Sequence, residues 1–329
     1  MKKNEMQNID YKTALNQALS EEMERDQNVF IMGEDVGVLG GAFRVTKGLL
    51  GKFGPNRIID TPLSESAIIG YALGAAISGL RPVAEIMFID FTSVCMDQII
   101  NQVAKIRYMS GGQVKVPLVI RTPGGFAKSW AAQHSQSWES FFCHIPGLKV
   151  VMPATPYDAK GLLKSAIRED NPVMFIEHKL LYNVAGDVPD EEYTVPLGMA
   201  QVKRAGADLT IITYSQMALL SLEAAEILAR EGKDVEVIDL RTLAPLDIET
   251  VLNSVKKTGR AIIVEEGHKK VGMGAEISST ITEQAFDYLD APVKRVAALD
   301  IPAPFSKVLE DRVRPKLEDI LEAARDIIG

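Results

Sequence analysis

Cysteine, tryptophan and histidine are scarce in this 329-residue chain, with two, two and four copies. Cys95 and Cys143 lie far apart with no metal-ligand spacing around either, so a disulfide framework and a thiolate metal centre are both excluded. Two buried free thiols are the expectation. No block of Lys or Arg tracks along the sequence and the formal charge is −8, which argues against a nucleic acid partner. Long apolar runs are missing too. The most extended weakly polar stretch, Ala67 to Leu80, is too short to span a bilayer and is flanked by Glu65 and Arg81. The opening "MKKNEMQNIDYKTALNQALSEEMERD" has acidic residues throughout and no apolar core, unlike a signal peptide. These absences lead to the expectation of a soluble, cytoplasmic chain with no membrane partner. H-x-x-E-H, H-E-x-x-H and a readable Ser-His-Asp set are likewise lacking.

What is present is a dense alternation of short apolar runs and amphipathic stretches. Hydrophobic residues make up 47% of the chain, enough for a packed core and too much for wholesale disorder. The length allows two domains. "NVFIMGED", "RIID", "RPVAEIMF", "VPLVIRT", "LKVVMP" and "PVMFIEH" read as strands. Helical segments separate most of them, among them "SESAIIGYALGAAISGL", "TSVCMDQIINQVAKIRYMSGG" and "TPYDAKGLLKSAIRE". Strands joined through helices imply a parallel sheet covered on both faces. The pattern lapses between Val184 and about Ala207 into a linker with an edge segment, and a second α/β alternation then runs to the C-terminus.

Three motifs carry possible chemistry. Gly272-x-Gly274 follows a strand and opens a helix, but a polar "GHKK" intervenes and the third glycine is missing, so it reads as a tight turn rather than a dinucleotide loop. Glu65 sits in the first turn of a helix rich in Gly and Ala. It is either a carboxylate serving the helix dipole or a carboxyl held against an apolar face so that it shares a proton. His134, in "SWAAQHSQSW" between the two tryptophans, follows a strand end and a glycine loop, where open parallel sheets bind ligands. Amide and hydroxyl neighbours surround it. On local grounds it is an active-site imidazole or a histidine capping a helix.

Several stretches occur together in one order: "GEDVG", "DTPLSESAIIG", "MDQIINQVAKIRYMSGG", "AAQHSQS", "PGLKVVMPATPYDAKGLLKSAIREDNPV" and "RTLAPLD". Through them the chain resembles, over nearly its whole length, the β subunit of the E1 component of thiamine-diphosphate-dependent 2-oxo acid dehydrogenase complexes. Within that family it looks most similar to acetoin dehydrogenases, with pyruvate dehydrogenases next. The resemblance implies a transketolase-like α/β fold: a pyrimidine-binding domain with a parallel sheet over 1–185, a linker over 186–205, and a smaller C-terminal α/β domain over 206–329. It implies thiamine diphosphate shared with an E1 α subunit in an α₂β₂ heterotetramer, and acetyl transfer to a lipoyl-bearing E2 acyltransferase. The diphosphate with its Mg²⁺ is expected mainly on the α chain, since no "GDG…N" stretch occurs here.

By the same resemblance Glu65 matches the carboxyl that hydrogen-bonds N1′ of the aminopyrimidine. A proton shared there favours the imino form, whose 4′-nitrogen takes the proton from the thiazolium C2. Phe91 matches the ring that stacks on the pyrimidine and Leu63 a backbone contact beside it. His134 matches the histidine associated with acyl transfer to lipoyl. Leu118, Ala166, Glu169 and Asn171 align with a monovalent-cation (K⁺) site built largely from carbonyls. The chain departs from the pattern in the loop "GGFAKSW", where Phe126 and Trp130 are bulky, at Trp138, and at Asp90 beside Phe91. A non-catalytic scaffold and half of a transketolase-type transferase are the other readings. Retention of Glu65, Phe91 and His134 together argues against the scaffold.

Overall fold

The computed structural model describes residues 6–329. They fall into two compact units: residues up to Gly124 with Phe141–Leu197, and Gly125–Ser140 with Gly198–Gly329.

The first unit is built on parallel strands in the spatial order Lys149–Val151, Val173–His178, Val119–Gly124, Arg81–Glu85, Val29–Gly33, Ile58–Asp60. The chain starts this sheet inside it. From Val29–Gly33 the next strand is laid on one side and the one after on the other, which makes a topological switch point between neighbouring strands. Helix Tyr11–Arg25 buries Tyr11, Ala14, Leu15, Ala18, Leu19 and Met23 in one apolar stripe at three-and-four spacing, with the ion-paired Glu22 beside it. Its N-cap Asp10 accepts the Thr13 N–H at 2.9 Å, an interaction of about 1 kcal/mol. Helix Pro156–Arg168 packs beside it, and Arg168 reaches the buried Glu22 carboxylate. A two-stranded antiparallel ribbon, Met6–Asp10 with Ala185–Pro189, adds an element that the sequence pattern did not announce.

Under the sheet's C-terminal edge lies a buried ionic cluster. Arg121 donates to Glu177 at 2.7 and 2.8 Å and to Glu85 at 2.7 Å, and the Tyr182 hydroxyl donates to Glu177 at 2.6 Å. Burial disfavours the Arg121 charge, but the two carboxylates more than offset this and hold its pKa above the ordinary value. Removing one partner from such a cluster typically costs about 3–5 kcal/mol, because the remaining charge is left buried.

The stretch expected to be one helix from Thr92 to Gly112 is instead a tight 3₁₀ run, Ile89–Cys95, a wide π run, Gln98–Val103, and a short α-helix, Ile106–Met109. The Ala104 N–H bonds the Ile99 carbonyl five residues back, and Asn101 bonds Asp97 through its side chain. Changes of helical pitch of this kind re-aim side chains and recur at functional sites.

The second unit carries the strand order Lys294–Ala298, Ala261–His268, Leu209–Thr213, Val235–Asp239, Gln201–Arg204; the last is antiparallel and the rest are parallel. Leu209, Ile211, Val235, Val237, Ile262 and Val264 form its core with the helices Gln216–Arg230 and Leu317–Ile328. The two glycines before helix Met273–Ala285 have a structural use. A Cβ at Gly272 would meet the Glu265 carboxylate at 2.7 Å and one at Gly274 at 2.5 Å, and the Gly274 N–H donates to Glu265 at 3.0 Å. The chain's own carboxylate fills the helix N-terminus that a phosphate would use, so the tight-turn reading holds.

Candidate active site

Three of the residues singled out in the sequence lie just past the C-terminal ends of strands in the first unit. Leu63 and Glu65 follow Ile58–Asp60, and Phe91 follows Arg81–Glu85. These strands flank Val29–Gly33, so the residues gather at the switch point, where doubly wound sheets take their ligands. Glu65 opens helix Glu65–Ile77 and is half-buried; the Leu63 side chain is exposed. The Ser66 hydroxyl donates to the Val94 carbonyl at 2.8 Å, tying the helix start to the 3₁₀ run that bears Phe91.

The structure adds Glu34, the acid directly after Val29–Gly33. Burial raises its pKa, and the charges of Glu65 and Asp35 push it the same way. Glu34 and Glu65 thus follow neighbouring strand ends, near enough for the Glu65 charge to bear on Glu34. The signal available in the sequence was the acidic pair in "GED" after an apolar strand. Cys95 is also close. Burial, with Glu65 next, drives its thiol up to about 12, so it stays protonated and unreactive. Cys143 forms no disulfide and is only half-buried, less enclosed than expected.

Phe91 is held by an aromatic series. Its ring meets Phe88 edge-on at 5.4 Å, Phe88 meets Phe43 edge-on at 5.8 Å, and Phe43 stacks on Tyr182 at 4.7 Å. Tyr182 belongs to the Arg121 cluster. A half-exposed ring is thus fixed from behind by neighbours that end in the sheet's ionic core. Asp90, whose role the sequence left open, is buried in the same 3₁₀ run.

His134 lies in a loop rather than at a helix start. Residues 125–138 form a loop, and the short helix Glu139–Cys143 begins five positions after His134. The loop follows strand Val119–Gly124 in the sequence, yet it belongs to the second unit. Phe126 is buried with Ala298 and Val313 there, so it anchors the loop rather than standing free. Trp138 donates to the Gln136 side chain at 2.9 Å, while Trp130 is 40% exposed. Beside the loop is a cleft of ≈380 Å³ lined by Gln133, Ser135, Ser137, Glu266, His268 and Asp300, among others.

Leu118, Ala166, Glu169 and Asn171 lie at the N-terminal ends of the strands, opposite Glu65 and Phe91. Protein cations already reach this corner: Lys149 bonds the Glu169 carboxylate at 2.7 Å, Arg81 its carbonyl at 3.1 Å, and Arg107 the Asn171 side chain at 2.9 Å. Among the described residues no group of three His, Cys, Asp or Glu side chains is placed to hold a metal ion. No helix among them is long and apolar enough to cross a membrane.

Glu34, Glu65 and a braced Phe91 thus gather at the switch point of a parallel sheet, and the comparisons define the class of fold. Residues 7–184 match the transketolase pyrimidine-binding domain family and residues 198–320 the transketolase C-terminal domain family. The chain is 48% identical over 319 residues to the pyruvate dehydrogenase E1 component subunit beta of Rickettsia felis, covering 97% of this chain and 98% of that protein. It is 49% identical over 327 residues to the acetoin:2,6-dichlorophenolindophenol oxidoreductase subunit beta of Cupriavidus necator, covering 96% of each. A solved split-gene transketolase matches with a TM-score of 0.80 at 22% identity, over 97% of this chain and 98% of that one, which shows the shared fold. The chain belongs to the E1 β subunits of the thiamine-diphosphate-dependent 2-oxo acid dehydrogenase family. That membership makes it part of an oxidoreductase with an E1 α partner in a multienzyme complex.

Proposed function

We propose that this chain supplies the pyrimidine half of an E1 active site that cleaves acetoin oxidatively and passes the acetyl group to a lipoyl group on E2. The observation that carries the site is Glu65 beside the buried Glu34, with Phe91 presented from the neighbouring strand end. When bound, thiamine diphosphate supplies a nucleophilic carbon and an electron sink. Glu65 would hold a proton at N1′ of the aminopyrimidine, and its charge with burial raises the pKa of the nearby Glu34. Phe91 would give the pyrimidine a flat apolar face, and the Leu63 backbone would hold it beside that ring.

In the reaction the C–C bond of acetoin between its carbonyl and carbinol carbons breaks. Acetaldehyde leaves, the acetyl group goes to one lipoyl sulfur, and the other sulfur is reduced to a thiol. His134 is placed in this scheme as the acid that gives that thiol its proton. Similarity to the Rickettsia protein supports pyruvate as a second substrate reading.

The partner's place follows from an uncovered face. Helix Glu65–Ile77 buries Ile68, Ile69, Ala72 and Ala76 but exposes Gly70, Tyr71 and Gly74, and a Cβ at either glycine would meet nothing. We place the E1 α subunit against it, with the diphosphate and its Mg²⁺ held mainly by α, in an α₂β₂ assembly. A K⁺ at Leu118, Ala166, Glu169 and Asn171 would use backbone carbonyls. Those of Ala166 and Leu118 accept N–H groups from Glu169 and Val173 and have a second lone pair each.

Reconstitution with the α subunit, a lipoyl domain and both substrates tests the reading. Acetoin should give acetaldehyde and S-acetyl-dihydrolipoyl in equal amounts. Turnover of pyruvate alone would overturn the substrate and leave the subunit role intact; no turnover of either by a fully assembled complex would favour the scaffold reading.

A further inference from the structure

The loop that carries His134 holds an unusual density of left-handed backbone. Gly125 has φ 85°, and three side-chain-bearing residues follow in the same region: Lys128 at 55°, Ser129 at 72° and Ala131 at 63°. Each non-glycine residue there is strained, and such strain persists only where surrounding structure over-determines the fold. Here the surrounding structure is a set of carboxylates drawn from late in the sequence. Glu266 accepts the Phe126 N–H at 3.1 Å and Glu310 accepts the Ser129 N–H at 2.7 Å. Both are buried, at 6% and 2% exposure. At the base, the Gly125 N–H bonds the Gln136 carbonyl at 2.8 Å. At the far end, Glu139 accepts the Tyr214 hydroxyl at 3.0 Å.

A carboxylate is a costly group to bury, and one aimed at a backbone N–H recovers that cost through a short, charge-assisted bond. Packing alone has no need of a charge there, because Phe126 already supplies an apolar anchor among Ala298 and Val313. Two such carboxylates on neighbouring turns of one strained loop therefore select a conformation. We infer that Glu266 and Glu310 are positioning residues that clamp residues 126–134 in the strained shape that presents His134. The C-terminal unit thereby sets the geometry of the acyl-transfer step without touching the reacting atoms. The inference rests on the reading of His134 given above.

The test is amide hydrogen exchange in the assembled enzyme, read beside steady-state kinetics. Glu310→Ala should speed exchange across residues 126–134 about tenfold, the scale expected for losing one charge-assisted bond to a backbone N–H. Exchange in strand Leu209–Thr213 should not change. Glu310→Gln, whose side-chain carbonyl still accepts from Ser129, should recover most of the protection. In the same variants kcat for acetyl transfer should fall in step with lost protection, with KM for the first substrate unchanged. Glu266→Ala is the independent second variant, expected to act in the same way from the Phe126 end. Unaltered exchange in both alanine variants would overturn the clamp, and so would a glutamine variant no better than alanine. Raised exchange in an enzyme whose acetyl transfer survives His134→Ala would leave the clamp standing and remove the function given to His134.

Discussion

The Glu65 corner and the His134 loop are both attached to C-terminal ends of strands in one parallel sheet, yet they are built by opposite means. Glu65 and Phe91 ride on helical elements and Glu34 directly follows a strand, all beside neighbouring strands of the sheet. Phe91 is braced by rings that lead back to a buried ionic cluster. The His134 loop has no regular element from Gly125 to Trp138 and takes its form from carboxylates 140 and 181 residues further along. On the function proposed above, a proton-sharing group that never has to move suits the first construction. On the same proposal, a group that meets a substrate arriving on another protein is given by the second, a strained loop held from late in the sequence.

This contrast also explains what could be read in the sequence. Strand and helix alternation, the Glu65 turn and the unused Gly272-x-Gly274 turn are local patterns, and each was legible. The broken helix at 89–109 was not, because a change of pitch leaves the apolar spacing almost intact. Glu34 was half-visible in "GED". Glu266 and Glu310 gave no sign, since a clamp between segments so distant has no sequence period. His134 was singled out by its polar neighbours, but the helix expected to carry it is a loop, and the left-handed residues Lys128, Ser129 and Ala131 precede it.

The two regions can be separated by mutation. The largest effect is expected for His134→Ala. Acetyl transfer to a lipoyl domain should fall by roughly 10²–10⁴-fold, while reduction of an artificial one-electron acceptor falls much less. Equal losses in both assays would place His134 earlier in the reaction and erase the division of labour.

Next in size is a pH effect confined to the second unit. Burial, with the Glu139 charge adding, pushes Glu265 up to about 7 against opposition from the Gly274 N–H and the Tyr214 hydroxyl. The folded state therefore binds this proton more tightly than the unfolded state. The resulting stability is fully present below about pH 4.5 and is lost as pH rises through about 7. The shift corresponds to about 3 kcal/mol over that window. Glu265→Gln should flatten the fall in unfolding free energy between pH 5 and 7.5; the same slope in the variant would assign the effect elsewhere.

A smaller effect is expected inside the loop. Ala131→Gly removes a Cβ from a left-handed residue, and the relief should exceed the extra freedom gained by the unfolded chain. Unfolding measurements should show a gain of about 0.5–1 kcal/mol. A loss of that size would mean that the loop is not strained at this position.

The central claim is that this subunit activates the cofactor through the Glu65 carboxyl, and the exchange of the thiazolium C2 proton in the assembled enzyme reads that step alone. Glu65→Gln keeps the side chain's shape and removes its acid. With α₂β₂ assembly and cofactor binding verified, the exchange rate should fall by two decades or more. Exchange at the unmodified rate in the fully assembled variant would contradict the account.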